Sequence, residues 1–466
     1  DPVELAGAIA RDRARVVATG AVGLTFPRKV YYEKELAFIN SRSYGPGRYD
    51  LSYEEQGNDY PLGYIRWTEG RNFEAVVDLM ASGRLKVQPL ITHRFPIEEA
   101  TQAYEVITGK KKEEFLGVLL TYPQEKRKEE RRVVFPLSPV KSMGTVKLGV
   151  LGAGLFANSV LLPAIQKAGD IELIGIASSG GLHAQHAGKK FGFQYATSDE
   201  AEILNDPNVN TVAILTRHNT HADLVVKALQ AGKHVFVEKP LAITPEQLKR
   251  IEEQLLSTDN CLLLTGFNRR FAPLTQKLKS QVSGLQEPKY IHYRINAGAI
   301  PLHHWTQDPE SGGGRIIGEG CHFVDLIIYL VGAVPASVTA HALPDGGKHR
   351  EDNVSMTFTF PDGSIGIVDY LANGDKSFPK ERVEIFCGGQ IAVLDDFVSL
   401  QTVKDGKRKE ERAVQNKGWV EEWKVFARSI REGGEPPIPY EQLVGVTRAT
   451  FAAVESLRKK ATVEIS

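Results

Sequence analysis

Val146–Leu151 is a short apolar run that opens directly onto Gly152-Ala153-Gly154-Leu155-Phe156-Ala157, followed by an apolar-periodic stretch to about Ala168. This order predicts a strand, a tight turn and a helix in immediate succession. Glycines in such a turn let the backbone approach a pyrophosphate, which then lies on the outward-pointing N–H groups of the helix N-terminus. The glycine spacing alone is common; its position between strand and helix makes it informative. It predicts an α/β Rossmann domain with a doubly wound parallel sheet. Gly152, Gly154, Leu155, Phe156 and Ala157 are assigned to a dinucleotide cradle.

The alternation continues. A second strand, Ile171 to Ala177, ends at Ser178-Ser179-Gly180, where dinucleotide folds usually place an acidic residue against the ribose hydroxyls. No carboxylate stands there to repel a 2′-phosphate and no adjacent Arg offers to bind one, so NAD and NADP both stay open. Ser178 and Ser179 take the ribose end of the cofactor set. Further strands are expected at Thr211 to Leu215, His234 to Val237 and Cys261 to Thr265, with a helix from about Thr220 to Ala231. Ligands of such sheets sit beyond the carboxyl ends of the strands. Thr216, Arg217, His218, Asn219, Glu238 and Lys239 therefore point towards the cofactor crevice.

At 466 residues the chain exceeds a single core. The mixed-charge run Gln124 to Arg132, followed by Pro136 and Pro139, reads as a solvated linker over 123–145. It separates a segment 1–122 from the dinucleotide domain 146–266 and a substrate and oligomerisation domain 267–466. Lys plus Arg equals Asp plus Glu, 57 against 57, which gives no electrostatic reason to expect nucleic acid or an anionic membrane. No apolar run is long enough to span a bilayer, and Asp1-Pro2-Val3-Glu4 does not resemble a signal peptide. Cys261, Cys321 and Cys387 are spaced neither as a disulfide framework nor as metal ligands. The expectation is a cytoplasmic protein with a small-molecule substrate and no metal.

Taken together, Gly152-Ala153-Gly154, Asn219-Thr220-His221, and Ala231-Gly232-Lys233-His234-Val235 leading into Glu238-Lys239-Pro240 resemble the glucose-fructose oxidoreductase and inositol dehydrogenase (Gfo/Idh/MocA) family. The resemblance extends through Gly312-Gly313-Gly314-Arg315-Ile316-Ile317-Gly318-Glu319-Gly320-Cys321-His322-Phe323-Val324-Asp325. It implies a second α/β domain with a large open mixed sheet, which floors the substrate site and often joins copies into a homo-oligomer. It also implies an NAD- or NADP-dependent oxidoreductase acting on a sugar or polyol, and it adds His221 to the cofactor set. Oxidising a secondary alcohol needs a base for the hydroxyl proton while hydride leaves carbon. The family's general base corresponds to His322, whose ordinary pKa of about 6.5 suits that role. Lys239 would steady the developing alkoxide. The competing readings are a structural histidine and a surface lysine.

One departure stands out: many relatives carry an Asp where this chain has Gly318. Glu319 is the neighbouring carboxylate that could take its place, and is the third catalytic candidate. The substrate set is Asn268, Arg294, Asn296, His304, Trp305, Arg315 and His322, since sugars are held by planar polar groups and an aromatic face. Arg315 could equally be a solvated or interface residue. His303 and His304 have no Cys or carboxylate at ligand spacing, which favours hydrogen bonding over zinc. Tyr293, Tyr370 and Asn373 are secondary candidates.

Residues 1–122 read differently. Ala14 to Gly23 is expected to be a late Rossmann strand and turn, and Phe73 to Leu85 a helix ending near Gly83. With Pro89 to Ala100 and the closing Gly117-Val118-Leu119-Leu120, the segment resembles the C-terminal portion of zinc-type medium-chain alcohol dehydrogenases. No cysteine precedes Cys261 and no G-x-G-x-x-G precedes Val16, so that family's zinc ligands and cofactor turn have no counterpart here. A partial sheet exposes its edges. It is expected to pack against a partner, either an upstream dehydrogenase polypeptide or a surface of its own oligomer. Arg42, Tyr44 and Arg48 are candidates for sugar or partner contact, against the plainer reading of a surface loop.

Three functional classes follow. One is net oxidation of a sugar or polyol by NAD(P). Another is redox-neutral epimerisation or glycosidic elimination with a tightly held cofactor. The third is a non-catalytic nicotinamide- or sugar-binding protein, which the presence of both Lys239 and His322 disfavours.

Overall fold

The computed structural model describes residues 1–41, 44–55, 57–122, 132–135, 146–258, 261–347 and 350–465. The chain divides into two compact units, Asp1–Lys128 and Glu129–Ser466.

In the first unit, β1 (Arg15–Ala18) pairs in parallel with β2 (Ala37–Asn40), and β3 (Ile91–Pro96) with β4 (Gly117–Thr121). The expected helix runs Glu69–Ala81 and stops where Gly83 adopts φ 69°. None of its residues is buried. The unit's buried apolar side chains among the described residues are Val3, Tyr31, Ala103 and Val106, a thin core for its length. Arg48 pairs with Glu54 at 2.6 Å and lies over the rings of Tyr44 and Tyr49. Arg42 lies outside the described residues.

The stretch expected to be a linker is corrected by the structure. Residues 123–131 and 136–145 lie outside the described residues, but β5 (Arg132–Val134) pairs antiparallel with β8 (Tyr195–Thr197). Phe135 fills the space that a side chain at Gly188 would need, its ring lying 2.4 Å from that missing Cβ. The apolar Val133-Val134-Phe135 hidden behind the charge run supplies both the edge strand and its anchor.

The second unit contains the predicted doubly wound sheet. The strands β6 (Val146–Leu151), β7 (Ile171–Ala177), β9 (Thr211–Ile214), β10 (His234–Val237) and β11 (Leu263–Thr265) join β8 and β5 in the order β11-β10-β9-β6-β7-β8-β5. All pair in parallel except β5. The chain winds outward in both directions from the β6/β9 boundary, so the crevice at their carboxyl ends is the expected ligand position. β6 and β9 are almost wholly buried, as strands covered on both faces must be.

A second, mixed sheet of nine strands follows: β12 (Tyr290–Asn296), β13 (Ser337–Ala342), β14 (Asn353–Thr359), β15 (Ile365–Leu371), β16 (Glu381–Cys387), β17 (Gln390–Asp395), β18 (Ser399–Lys404), β19 (Lys407–Arg412) and β20 (Val463–Glu464). Their order is β19-β18-β17-β16-β12-β15-β14-β13-β20, with β12 and β15 parallel and their other pairings antiparallel. Burial alternates along β12, β15 and β16. One face joins the core with the helices Cys321–Val331 and Tyr440–Lys459; the other carries polar residues such as His292 and Asp369, paired at 2.7 Å. The Cys321–Val331 helix is nearly all apolar and ends at Gly332 with φ 98°. Its N-terminal approach, Ile316–Gly320, is a wider π-helical turn, a distortion that recurs at functional sites.

Candidate active site

The Gly152–Gly154 turn sits at the β6/β9 boundary as expected. Gly152 has φ 109°, and a Cβ there would lie 2.5 Å from the Leu215 carbonyl oxygen, so only glycine lets the two strand ends come this close. A Cβ on Gly154 would meet nothing within 4 Å, which leaves open space beside the turn. Leu155 is exposed and Phe156 partly so, whereas the Ala157 side chain is in the core. Ser178 is half-buried and Ser179 exposed beyond β7. The cradle thus has the room and the outward helix start that a pyrophosphate requires.

After β9, Thr216 Oγ1 and Thr220 Oγ1 lie 2.7 Å apart, Arg217 is exposed, and the Asn219 amide donates to the Ser311 carbonyl at 3.1 Å. Two histidines expected to face the cofactor are otherwise engaged. His221 is fully buried, its Nδ1 2.8 Å from the Pro240 carbonyl and its Nε2 3.1 Å from that of Thr216. It braces the loop after β10 and has no nitrogen left for a ligand. His218 turns towards the glycine-rich segment, its Nδ1 2.8 Å from the Gly312 carbonyl and its ring edge-on to Trp305 at 4.7 Å. Desolvation and the nearby Lys239 charge push His218 down to about 3; desolvation above all pushes His221 down to about 4.

Lys239 and His322 reach this crevice from different elements. The Lys239 Nζ donates to the Gly318 carbonyl at 3.0 Å. His322, in the first turn of its helix, is buried, and its Nδ1 has no hydrogen-bond partner. Burial first, and then the positive charges of Arg269, Lys239, Lys380 and Lys417, hold it well below the usual histidine range. Glu238 is buried beside Gly266, where a Cβ would lie 2.9 Å from its Oε1, and burial raises it to about 7. Its other oxygen accepts from the Lys239 backbone amide at 3.3 Å.

Glu319 is corrected. Its Oε1 accepts from Lys380 at 2.7 Å, and its Oε2 accepts from Tyr370 and from Arg315 at 3.0 Å. The cations of Lys380 and Arg315 overcome its burial and hold it far below the usual carboxylate range, so it keeps no proton to exchange with His322. Arg315 is likewise neither solvated nor free for substrate: its side chain is 5% exposed and also donates to the Gly298 carbonyl at 2.8 Å.

Three further substrate candidates are engaged by internal hydrogen bonds. Arg294 and Asn296 alternate with Tyr293 and Ile295, which are buried in the core, so they occupy the opposite face of β12. Arg294 donates to the Pro379 carbonyl at 2.7 Å, and Asn296 to that of Asp375 at 2.6 Å. Asn268 is buried and donates to the Lys417 carbonyl at 2.7 Å. His304 is exposed and caps the short turn Trp305–Gln307, while Trp305 remains beside His218. Of the secondary candidates, Tyr293 is buried with its hydroxyl on Glu381, and Tyr370 is taken by Glu319. The Asn373 backbone N–H donates to Asn353 Oδ1 at 2.9 Å.

Sequence reasoning missed a buried ionic network behind His322. Arg269 donates through Nε and Nη2 to Glu381 at 2.7 and 2.9 Å, and Lys417 reaches the same carboxylate at 2.8 Å. Its one visible signal was Arg269-Arg270 immediately past a predicted Rossmann strand, where charge is expected only for a reason.

Comparison with known proteins bears directly on this geometry. The oxidoreductase family with an NAD-binding Rossmann fold (Gfo/Idh/MocA) matches residues 146–267, and that family's C-terminal alpha/beta domain matches residues 279–465. Similar proteins include the myo-inositol 2-dehydrogenase of Thermotoga maritima, 26% identical over 69% of this chain and 98% of the relative. The scyllo-inositol 2-dehydrogenase (NADP(+)) of Bacillus subtilis is 25% identical over 69% of this chain and 97% of its own. Among solved structures, levoglucosan dehydrogenase with NADH and levoglucosan shares the fold at a TM-score of 0.61 and 23% identity, covering 69% of this chain and 99% of that one. Through residues 146–465, the chain belongs to the Gfo/Idh/MocA family of NAD-binding oxidoreductases.

Proposed function

We propose that residues 146–465 catalyse the NAD(P)-dependent oxidation of a secondary alcohol on a sugar, sugar derivative or polyol, with Lys239 and His322 at the reacting centre. The observation that supports this is an ammonium anchored on the Gly318 carbonyl, four residues before a buried imidazole whose protonation its charge disfavours. A bound nicotinamide would supply the hydride acceptor for the carbinol carbon. The Gly152–Gly154 turn and the start of the following helix would hold its pyrophosphate, with Ser178 and Ser179 at the adenosine ribose. The Lys239 charge stabilises negative charge growing on the substrate oxygen. His322 receives the hydroxyl proton, as a base that burial and four neighbouring cations make weaker than a free histidine. Glu381 holds Arg269 and Lys417 in place, Glu319 holds Lys380, and the Gly318 carbonyl holds Lys239.

The substrate class is supported by the relatives, which include dehydrogenases of myo-inositol and scyllo-inositol, the latter in both NAD(+) and NADP(+) forms. Mass analysis of the purified protein for nicotinamide, then a panel of myo-inositol, scyllo-inositol, levoglucosan and D-glucosides with NAD and NADP read at 340 nm, tests the proposal. Reduction of either cofactor is expected. Substrate consumed with no net reduction would replace dehydrogenation with redox-neutral chemistry, and absence of cofactor binding would overturn the assignment.

For residues 1–122, the parallel pairs β1–β2 and β3–β4 and the helix ending at Gly83 support a partial medium-chain dehydrogenase-like segment. We read the second unit's nine-stranded sheet as the oligomer-forming element. Sedimentation analysis would show a species larger than 51.4 kDa, whereas a monomer at all concentrations would count against it.

A further inference from the structure

Gly318 and His218 share one volume. A Cβ on Gly318 would lie 2.9 Å from His218 Cε1 and 3.1 Å from its Nδ1, so the imidazole occupies the space that any side chain at 318 would enter. The ring is fixed there on three sides. Its Nδ1 lies 2.8 Å from the Gly312 carbonyl, Trp305 packs edge-on at 4.7 Å, and the backbone of Gly318 closes the third side. A carbonyl oxygen can only accept, so Nδ1 carries the proton and donates it. In the neutral ring the lone pair then resides on Nε2, which has no hydrogen-bond partner among the described residues. The ring also feels the charge of Lys239, whose ammonium is held by the carbonyl of the same Gly318. A hydrogen-bond acceptor of fixed direction thus lies beside the cation that would hold the reacting oxygen.

We propose that His218 is a substrate-binding residue, its Nε2 accepting the hydrogen bond of a substrate hydroxyl next to the carbinol being oxidised. This rests on the dehydrogenase reading and deepens it, by naming the residue that selects a vicinal diol over an isolated alcohol. The ligand class is a polyol or sugar ring with two adjacent hydroxyls. One meets Lys239 and His322; its neighbour meets His218. Trp305, packed on the imidazole, keeps the acceptor aimed.

His218→Asn is the discriminating variant, because its amide nitrogen can still donate to Gly312 while Nε2 is removed. His218→Ala, which loses both, serves as comparison. Calorimetric binding of myo-inositol, scyllo-inositol, levoglucosan and methyl D-glucoside to the protein–NADH complex is read beside NAD reduction and NADH affinity. For the ring that binds wild type most tightly, His218→Asn is expected to weaken binding about tenfold or more, with NADH affinity within about twofold of wild type. It should also erase the preference for that ring over its mono-deoxy analogue lacking the adjacent hydroxyl. Ring affinity and preference equal to wild type in His218→Asn would overturn the proposal, whether or not NAD is reduced. Wild type that binds a ring without reducing NAD would overturn the dehydrogenase reading alone, and wild type that binds none of the rings would overturn both.

Discussion

The Lys239 ammonium donates a 3.0 Å hydrogen bond to the Gly318 carbonyl, tying the loop after β10 to the turn that precedes His322. In the proposed reaction this bond would position the cation before substrate arrives and leave little reorganisation for the chemical step. Lys239→Met keeps the side-chain bulk but removes the charge. It should retain nicotinamide binding, measured by fluorescence titration, while turnover falls by about a hundredfold or more. A variant that turns over normally would place the stabilising charge elsewhere.

Gly152 tests the cradle. With φ 109° and the Leu215 carbonyl oxygen 2.5 Å from its missing Cβ, Gly152→Ala must displace backbone and not a flexible side chain. The expected cost is about 1–3 kcal/mol of stability and a loss of nicotinamide affinity. Gly154→Ala, whose Cβ meets no protein atom within 4 Å, should fold as stably as wild type and lose affinity alone. Thermal melts with and without NAD separate the two outcomes.

The Arg269–Glu381 pair is buried on both sides, at 7% and 1% side-chain exposure. Glu381→Ala would strand the Arg269 and Lys417 charges, with an expected cost of about 3–5 kcal/mol. Arg382→Ala, on the opposite face of the same strand and 38% exposed, should change stability by less than about 1 kcal/mol. Denaturant titration of the two variants checks the contrast.

Stability should depend on pH from two opposing directions. His218 and His221 are pushed from 6.5 down to about 3 and about 4. Below pH 6.5 the unfolded chain therefore takes up protons that the folded protein refuses, and stability falls as pH drops from 6.5 towards 4. Glu238 is raised from 4.5 to about 7, so its folded form holds the proton longer and stability falls as pH rises from 4.5 through 7. Glu238→Gln should reduce the alkaline loss, which the raised carboxyls of Glu422 and Asp325 share, and leave the acid loss intact. Melting curves from pH 4.5 to 8 that fall in parallel for wild type and variant would contradict this assignment.

How much of this was legible in the sequence depended on distance along the chain. The strand, glycine turn and helix from Val146 are local, and the doubly wound sheet followed from repeated alternation. The face of β12 was not local: Arg294 and Tyr293 alternate, but which one meets the Cys321–Val331 helix is fixed by pairing with β15 and β16. Glu319 was misplaced for a related reason. Spacing arguments assume a regular helix, whereas Ile316–Gly320 is a widened turn, and the partners that capture Glu319, Tyr370 and Lys380, lie on and beside later strands. The charge run before Arg132 hid an edge strand because three apolar residues carry little periodicity. His218 follows β9, but its contact with Gly312 spans the two halves of the unit and no local pattern announces it.

The central claim is that NAD(P) oxidises a secondary alcohol while Lys239 stabilises the forming alkoxide and His322 accepts its proton. The most direct measurement is the initial rate of absorbance gain at 340 nm for wild type and His322→Asn, with NAD or NADP and the inositol and sugar panel, after matched nicotinamide binding is established. The account predicts measurable reduction by wild type and a rate lower by about a hundredfold or more in the variant. Equal rates in both proteins would contradict it.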